Sequence, residues 1–261
     1  QRSLQRTLGG ATWMDAETTR AALDKLSALR RKVGAPTRWR AFDGVVIRRA
    51  DHAGNMSRIR ADDTQRQLAW AGQVVDRDLW LITPQTVNAF YLPPLNEVVF
   101  PAGILQPPFF DAARDDAVNF GAIGSMIGHE LSHAFDASGR RFDRSGNLVD
   151  WWTPKDDQVF TQKSACLVDQ YTQYPVMDGV RVDGRLTLSE NIADNTGVRI
   201  ALYALIEQLA ASPPPPLIDG FTPQQRFFLS WAQTWCEQAS DASIRRRAQE
   251  DVHAPNRWRT N

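Results

Sequence analysis

At 261 residues, 43% hydrophobic and 23% charged, the chain is long enough for a sizeable buried core and far from the composition of a disordered protein. Thirty basic and thirty acidic residues cancel, without the basic excess that a nucleic-acid binder uses to neutralise phosphates, so no nucleic acid is expected as a partner. No run of about eighteen apolar residues occurs, and the opening QRSLQRTLGG lacks a signal-peptide core, so no anchor is expected within this segment. Gln1 is not an initiator residue, and the expectation is a chain that starts mid-protein.

Residues 12–32 place apolar side chains at helical spacing behind the capping candidate Asp15, and predict a helix ending near Gly34-Ala35-Pro36. The cluster Arg30-Arg31-Lys32 reads as its solvated end. A second helix is expected over about 56–73. Between residues 86 and 105 the β-rich VNAFYL and EVVFPAGIL flank the turn-former PPLN, which predicts a hairpin. Residues 116–136 are apolar on nearly every side and predict a buried central helix capped by Asp115 or Asp116. A loop over 137–153 ends in Trp151-Trp152, and helices are expected at about 154–172, 189–210 and 223–249. Pro213 to Pro216 form a stiff connector between the last two. Cys166 and Cys236 are too few for a disulfide framework and read as two buried thiols.

Inside the central helix, His129-Glu130-Leu131-Ser132-His133 sets two imidazoles four residues apart, on one helical face, where they can share a zinc ion. Glu130 then lies beside the metal as a general base for water whose pKa the ion brings to roughly 7. The plain alternative is two satisfied core histidines. It leaves Glu130 unexplained, in a helix where an unpartnered polar group costs a few kcal/mol. Such a zinc needs a third protein ligand, for which Glu190 is the candidate. Asp194 falls one turn later, able to orient a ligand histidine.

NAFY at Asn88, FPAGILQPPFF at Phe100, GHELSHAFD at Gly128, ENIAD at Glu190 and DVHAP at Asp251 together resemble the neprilysin family of zinc metallopeptidases, from about Trp13 to Arg259. The resemblance implies an α+β, mainly helical zincin domain of thermolysin-like type, with its HExxH helix and a substrate-binding β-hairpin. It implies one zinc per chain on His129, His133 and Glu190, Glu130 as base and proton donor, and Asp194 and Asp136 as the carboxylates behind the two histidines. By the same resemblance His253 stabilises the oxyanion and Arg259 holds a substrate carbonyl, while Asn88 and Ala89 bind an extended peptide. Ile104, Phe109, Met126 and Trp235 line the pocket for a hydrophobic residue, with Ser125 and Thr234 where members are apolar. Ala137 and Ser189 depart from the pattern at positions without an assigned role.

The expected reaction is endopeptidase hydrolysis of oligopeptides on the amino side of a hydrophobic residue. Residues 1–55 are expected to lead into a catalytic domain over 56–261, with a large N-terminal helical domain and a short C-terminal tail absent. That helical domain, in some cases a separate chain, is the expected partner besides peptide substrate. In relatives bearing disulfides the cysteines matching Cys166 and Cys236 pair outside this segment, which implies an extracytoplasmic location. An aminopeptidase or thermolysin-like protease fits less well, because the gap from His133 to Glu190 is long. The remaining alternative is a catalytically silent binding module.

Overall fold

The computed structural model describes residues 1–211 and 216–260, so the expected proline connector lies outside the described residues except for Pro216. The chain divides into two compact units, Gln1–Gly34 with Pro84–Asn261, and Ala35–Thr83. These units divide the chain differently from a boundary near residue 55, because the N-terminal helices and the strand that follows them belong to the larger unit's core.

In the larger unit α1 (Arg2–Gly9) precedes α2 (Ala16–Ala28), whose N-cap Asp15 accepts the N–H groups of Glu17 and Thr18. Ala22, Lys25, Leu26 and Leu29 fall on one buried stripe. The helix then stops short of the expected residue 32, and β1 (Arg30–Gly34) takes over. The charge run alternates sides as a strand does. Lys32 turns inward and bonds Glu97 Oε1 at 2.8 Å, and both side chains are buried. The expected hairpin forms from β2 (Phe90–Leu92) and β3 (Glu97–Pro101), and the sheet order is β1-β3-β2, parallel then antiparallel. Its connection turns on Asn96, which takes a left-handed φ of 45° and is fully buried. The Asn96 side chain accepts from Tyr91 Oη and donates to the carbonyls of Lys25 and Arg144.

The central helix runs as α4 (Asp116–Asn119), a π-helical turn over Phe120–Gly124 and α5 (Ser125–Ser132), with Asp115 as its cap. After α6 (Pro154–Thr172) and the small ribbon β4 (Pro175–Met177) and β5 (Val180–Arg181), α7 (Leu188–Ala210) packs along α5. Glycines make that contact close: a Cβ on Gly128 would overlap the backbone of Gly197, and one on Gly197 the backbone of His129. The expected helix over 223–249 is two, α8 (Pro223–Thr234) and α9 (Asp241–Glu250). The chain leaves α8 at Trp235, and Ser240 caps the new start through Ser243 N–H. A single turn, α10 (Asn256–Arg259), follows.

In the smaller unit α3 (His52–Trp70) starts from Asp51, which caps it through Gly54 N–H. Asp62 pairs with Arg40 and Arg66. No residue of α3 is buried, and Trp39, Phe42, Val46, Ile47, Leu68 and Trp70 are exposed. Among the described residues no helix is long and apolar enough to cross a membrane.

Candidate metal centre

The last turn of α5 and the first turn of α7 carry the three expected ligands, which the glycine contact between these helices brings together. His129 Nε2 and His133 Nε2 lie 3.0 Å apart. Glu190 Oε2 is 3.3 Å from the first and 3.6 Å from the second. The other nitrogens are taken: His129 Nδ1 meets Asp194 Oδ1 at 2.8 Å, and His133 Nδ1 meets Asp136 Oδ2 at 2.7 Å. Carboxylates only accept, so both Nδ1 atoms donate and both Nε2 atoms present lone pairs.

This leaves acceptors facing acceptors. Glu190 Oε2 is buried beside both Nε2 atoms, with His253 Nε2 as a further neighbour at 3.1 Å. Where burial limits access of water, that arrangement is unfavourable unless a cation sits among the three atoms. Tetrahedral zinc with Zn–N of about 2.0–2.1 Å holds two nitrogens about 3.3 Å apart, so a nitrogen pair, a carboxylate and carboxylate-backed imidazoles fit that ion. Without metal a proton takes its place. Burial disfavours charge on His129, but hydrogen bonds to Asp194 and Glu190 outweigh it and raise the imidazole to about 10.

Neighbouring carboxyls are tuned in opposite directions. Burial pushes the Glu130 carboxyl up, against the pull of His129 and His133, and the Tyr91 backbone N–H donates to it. Burial also acts on Glu190, but hydrogen bonds to His129 and His253 hold it far below the carboxylate range. Asp194, fully enclosed, stays low because Arg259 and His129 outweigh burial.

A cleft of about 680 Å³ takes in Asn88, Ala89, Ile104, Phe109, Met126, His129, Glu130, His133, Asp136, Glu190, Trp235, His253 and Arg259. Asp194 lies behind His129 instead. Asn88 is exposed, and its Oδ1 accepts from Ala89 N–H. His253 Nε2 is 3.1 Å from Glu190 Oε2, and its Nδ1 meets Asp251 Oδ1 at 2.8 Å. Arg259 is more committed than expected. Its Nε and Nη2 bond both oxygens of Asp194 at 2.7 and 2.8 Å, and its guanidinium stacks 3.7 Å from the Trp235 ring centroid. The N–H groups left for a substrate carbonyl are the two on Nη1 and the second on Nη2.

Ser125 and Thr234 do not line the cleft; their hydroxyls donate to the carbonyls of Phe120 and Trp231. Cys166 and Cys236 are exposed and unbridged, not the buried thiols of the residue-level reading. Sequence reasoning also missed Asp251, which holds His253, and the Tyr91 amide, which addresses Glu130. Asp251 stands inside the quoted DVHAP motif and could have been found there, whereas a backbone amide has no letter of its own.

Comparison with known proteins accords with this arrangement. The model of peptidase family M13 matches residues 88–261. An endothelin-converting enzyme homolog of Locusta migratoria is 39% identical over 98% of this chain and 36% of its own length. Endothelin-converting enzyme 1 of Bos taurus is 38% identical over 99% and 35%. The chain thus spans about a third of the length of these curated relatives. Among solved structures, the Mycobacterium tuberculosis zinc metalloprotease Zmp1 in complex with inhibitor superposes with a TM-score of 0.94 at 43% identity, over 99% of this chain and 40% of that one. PepO from Lactobacillus rhamnosis gives 0.86 at 35% identity, over 99% and 40%. With two thirds of its length inside the family model and its fold shared with such proteases, the chain belongs to peptidase family M13, the neprilysin family that its motifs resemble.

Proposed function

We propose that this chain is the catalytic part of a zinc endopeptidase that cleaves oligopeptides on the amino side of hydrophobic residues. The observation that carries the reading is the meeting of His129 Nε2, His133 Nε2 and Glu190 Oε2, all within 4.8 Å of one another, in a cleft that Glu130 also lines. These three residues would hold zinc, which when bound would supply a Lewis acid for the peptide carbonyl and for water. Asp194 and Asp136 keep the two Nε2 lone pairs directed at the metal position.

Glu130 takes the proton from water and returns it to the leaving amine; burial raises its carboxyl toward the range where it can do both. Burial works against charge on His253, but hydrogen bonds to Glu190 and Asp251 outweigh it and raise the imidazole, which favours its role as a donor to the oxyanion alongside Arg259. One such donor is worth roughly 3–4 kcal/mol of barrier. The edge of β2 and the Asn88 amide receive an extended peptide as an added strand, and Ala89 contributes its carbonyl. Ile104, Phe109, Met126 and Trp235 take the hydrophobic side chain.

The apolar side chains exposed around α3 fit a surface that packs against further polypeptide, such as a helical region preceding this segment. Cys166 and Cys236 lie at the surface, where they can reach disulfide partners outside the segment, which accords with an extracytoplasmic location. The test is zinc content and peptide cleavage measured together on the protein and its Glu130→Gln variant. The variant is expected to keep its zinc and lose about a hundredfold or more in turnover. Near-native cleavage by the variant would exclude the base, and zinc-free, inactive native protein would favour the silent binding module.

A further inference from the structure

Lys25 is 1% exposed, and among the described residues no carboxylate pairs with it. Its Nζ donates instead to three backbone carbonyls, Ala134 at 2.7 Å, Gly139 at 2.7 Å and Phe142 at 2.6 Å. The rings of Tyr91, Phe135 and Trp151 surround it, with centroids 5.6 to 5.8 Å away. Burial pushes the ammonium down to about 7, against the weaker pull of Asp136 and Asp143. A buried lysine without a counter-charge is destabilising by several kcal/mol unless its three N–H bonds are all used, as they are here. An apolar residue would fill this stripe of α2 at lower cost, so the three-donor geometry calls for a reason.

All three carbonyls belong to the turn that leaves the metal helix directly after His133. Inside that turn, Asp136 Oδ1 accepts the N–H groups of Ser138 at 2.8 Å and Gly139 at 2.6 Å, while Oδ2 accepts from His133 Nδ1. The turn lies so close to the ligand backbone that a Cβ on Gly139 would overlap the His133 carbonyl. Asp136 therefore grips the turn from within and Lys25 from without. The Lys25 carbonyl in turn accepts from Asn96, which also holds Tyr91, so the same residue reaches the hairpin that addresses Glu130.

We propose that Lys25 is a positioning residue of the metal centre: by binding the carbonyls of Ala134, Gly139 and Phe142 it fixes Asp136, and through Asp136 the imidazole of His133. This rests on the assignment of His129, His133 and Glu190 as metal ligands. The test is zinc affinity, measured by chelator competition on the holoenzyme after stripping and refilling, for Lys25→Met, Asp136→Asn and the double variant, with thermal melts of each. Asp136→Asn is expected to weaken zinc about 10- to 100-fold, as loss of an outer-shell partner does, and Lys25→Met about tenfold. In the Asp136→Asn background Lys25→Met should add nothing, because the path runs through that carboxylate. A lysine that serves only stability would lower the melting temperature with unchanged zinc affinity, or with an effect that adds fully to Asp136→Asn, and either result overturns the proposal. Should Lys25→Met not fold, Lys25→Gln keeps two of the donors and carries the same comparison; failure of both to fold at saturating zinc would assign Lys25 to stability alone. His133→Ala separates the two levels: if it binds zinc like the native protein, the ligand assignment itself falls.

Discussion

Asp194→Ala tests the structure at its most loaded carboxylate. Asp194 is 2% exposed and serves His129 Nδ1 with one oxygen and Arg259 with both. Truncation leaves the Arg259 guanidinium buried against Trp235 without a counter-charge. Breaking one side of a buried pair destabilises by about 3–5 kcal/mol. For a chain of this size about 2–4 °C accompanies each kcal/mol, so the metal-free variant should melt about 6–20 °C lower. Loss of the carboxylate behind a ligand histidine should also weaken zinc about 10- to 100-fold. The two effects separate when Arg259→Leu is added, since removing both charges relieves the stranded guanidinium without restoring the support of His129. Stability should then recover for the most part while zinc affinity stays low. Denaturation of the metal-free forms and chelator competition measure the two quantities. A loss under about 1 kcal/mol for Asp194→Ala, or a double variant no more stable than the single, would refute the reasoning.

Other expectations follow from the helix contact and from protonation. Gly197→Ala gains about 1 kcal/mol of helix propensity but meets the His129 backbone, which cannot rotate away; overpacking of about 1–3 kcal/mol or more should win and weaken zinc as well. Gly124→Ala is the control, because its Cβ finds only ordinary contacts from 3.5 Å outward, and it should be neutral or stabilising in the same melts. Burial opposes the proton on metal-free His129, yet Asp194 and Glu190 raise it to about 10, so zinc must displace it. Calorimetry at about pH 8 in buffers of different ionisation enthalpy should register proton release, with affinity rising about tenfold per pH unit per proton; buffer-independent heats would contradict this. Stability of the metal-free protein should run the other way. A folded-state value above the ordinary 6.5 contributes fully below that pH and is lost as pH rises through about 10, which urea titrations across that window would show.

Much of the site was legible because its chemistry is local. His129, Glu130 and His133 declare themselves by spacing on one helix, and Asp15 and Asp115 cap helices as their positions before the helical runs predict. Residues whose meaning depends on distant partners were less readable. The run Arg30-Arg31-Lys32 has the composition of a solvated helix end, and only the partner Glu97 on β3 makes Lys32 an inward strand residue. His253 and Arg259 carried no signal beyond the family motifs, since Glu190 and Asp194 reach them only in the folded chain. Lys25 left a trace, a lone charge on the apolar stripe of α2, but its three acceptors are backbone atoms that no sequence pattern displays.

The outer border of the sheet is kept short. β2 has three residues, and Pro93 and Pro94, which lack an N–H, end it at once. A guest strand can form only a few ladder bonds before its template runs out. A supple, unfolded segment can bend away beyond them, whereas the rigid border of another sheet gains too little to stay. Two prolines thus limit how far any second sheet could extend this edge, and on the proposed reading a peptide docked there would be held by few backbone bonds.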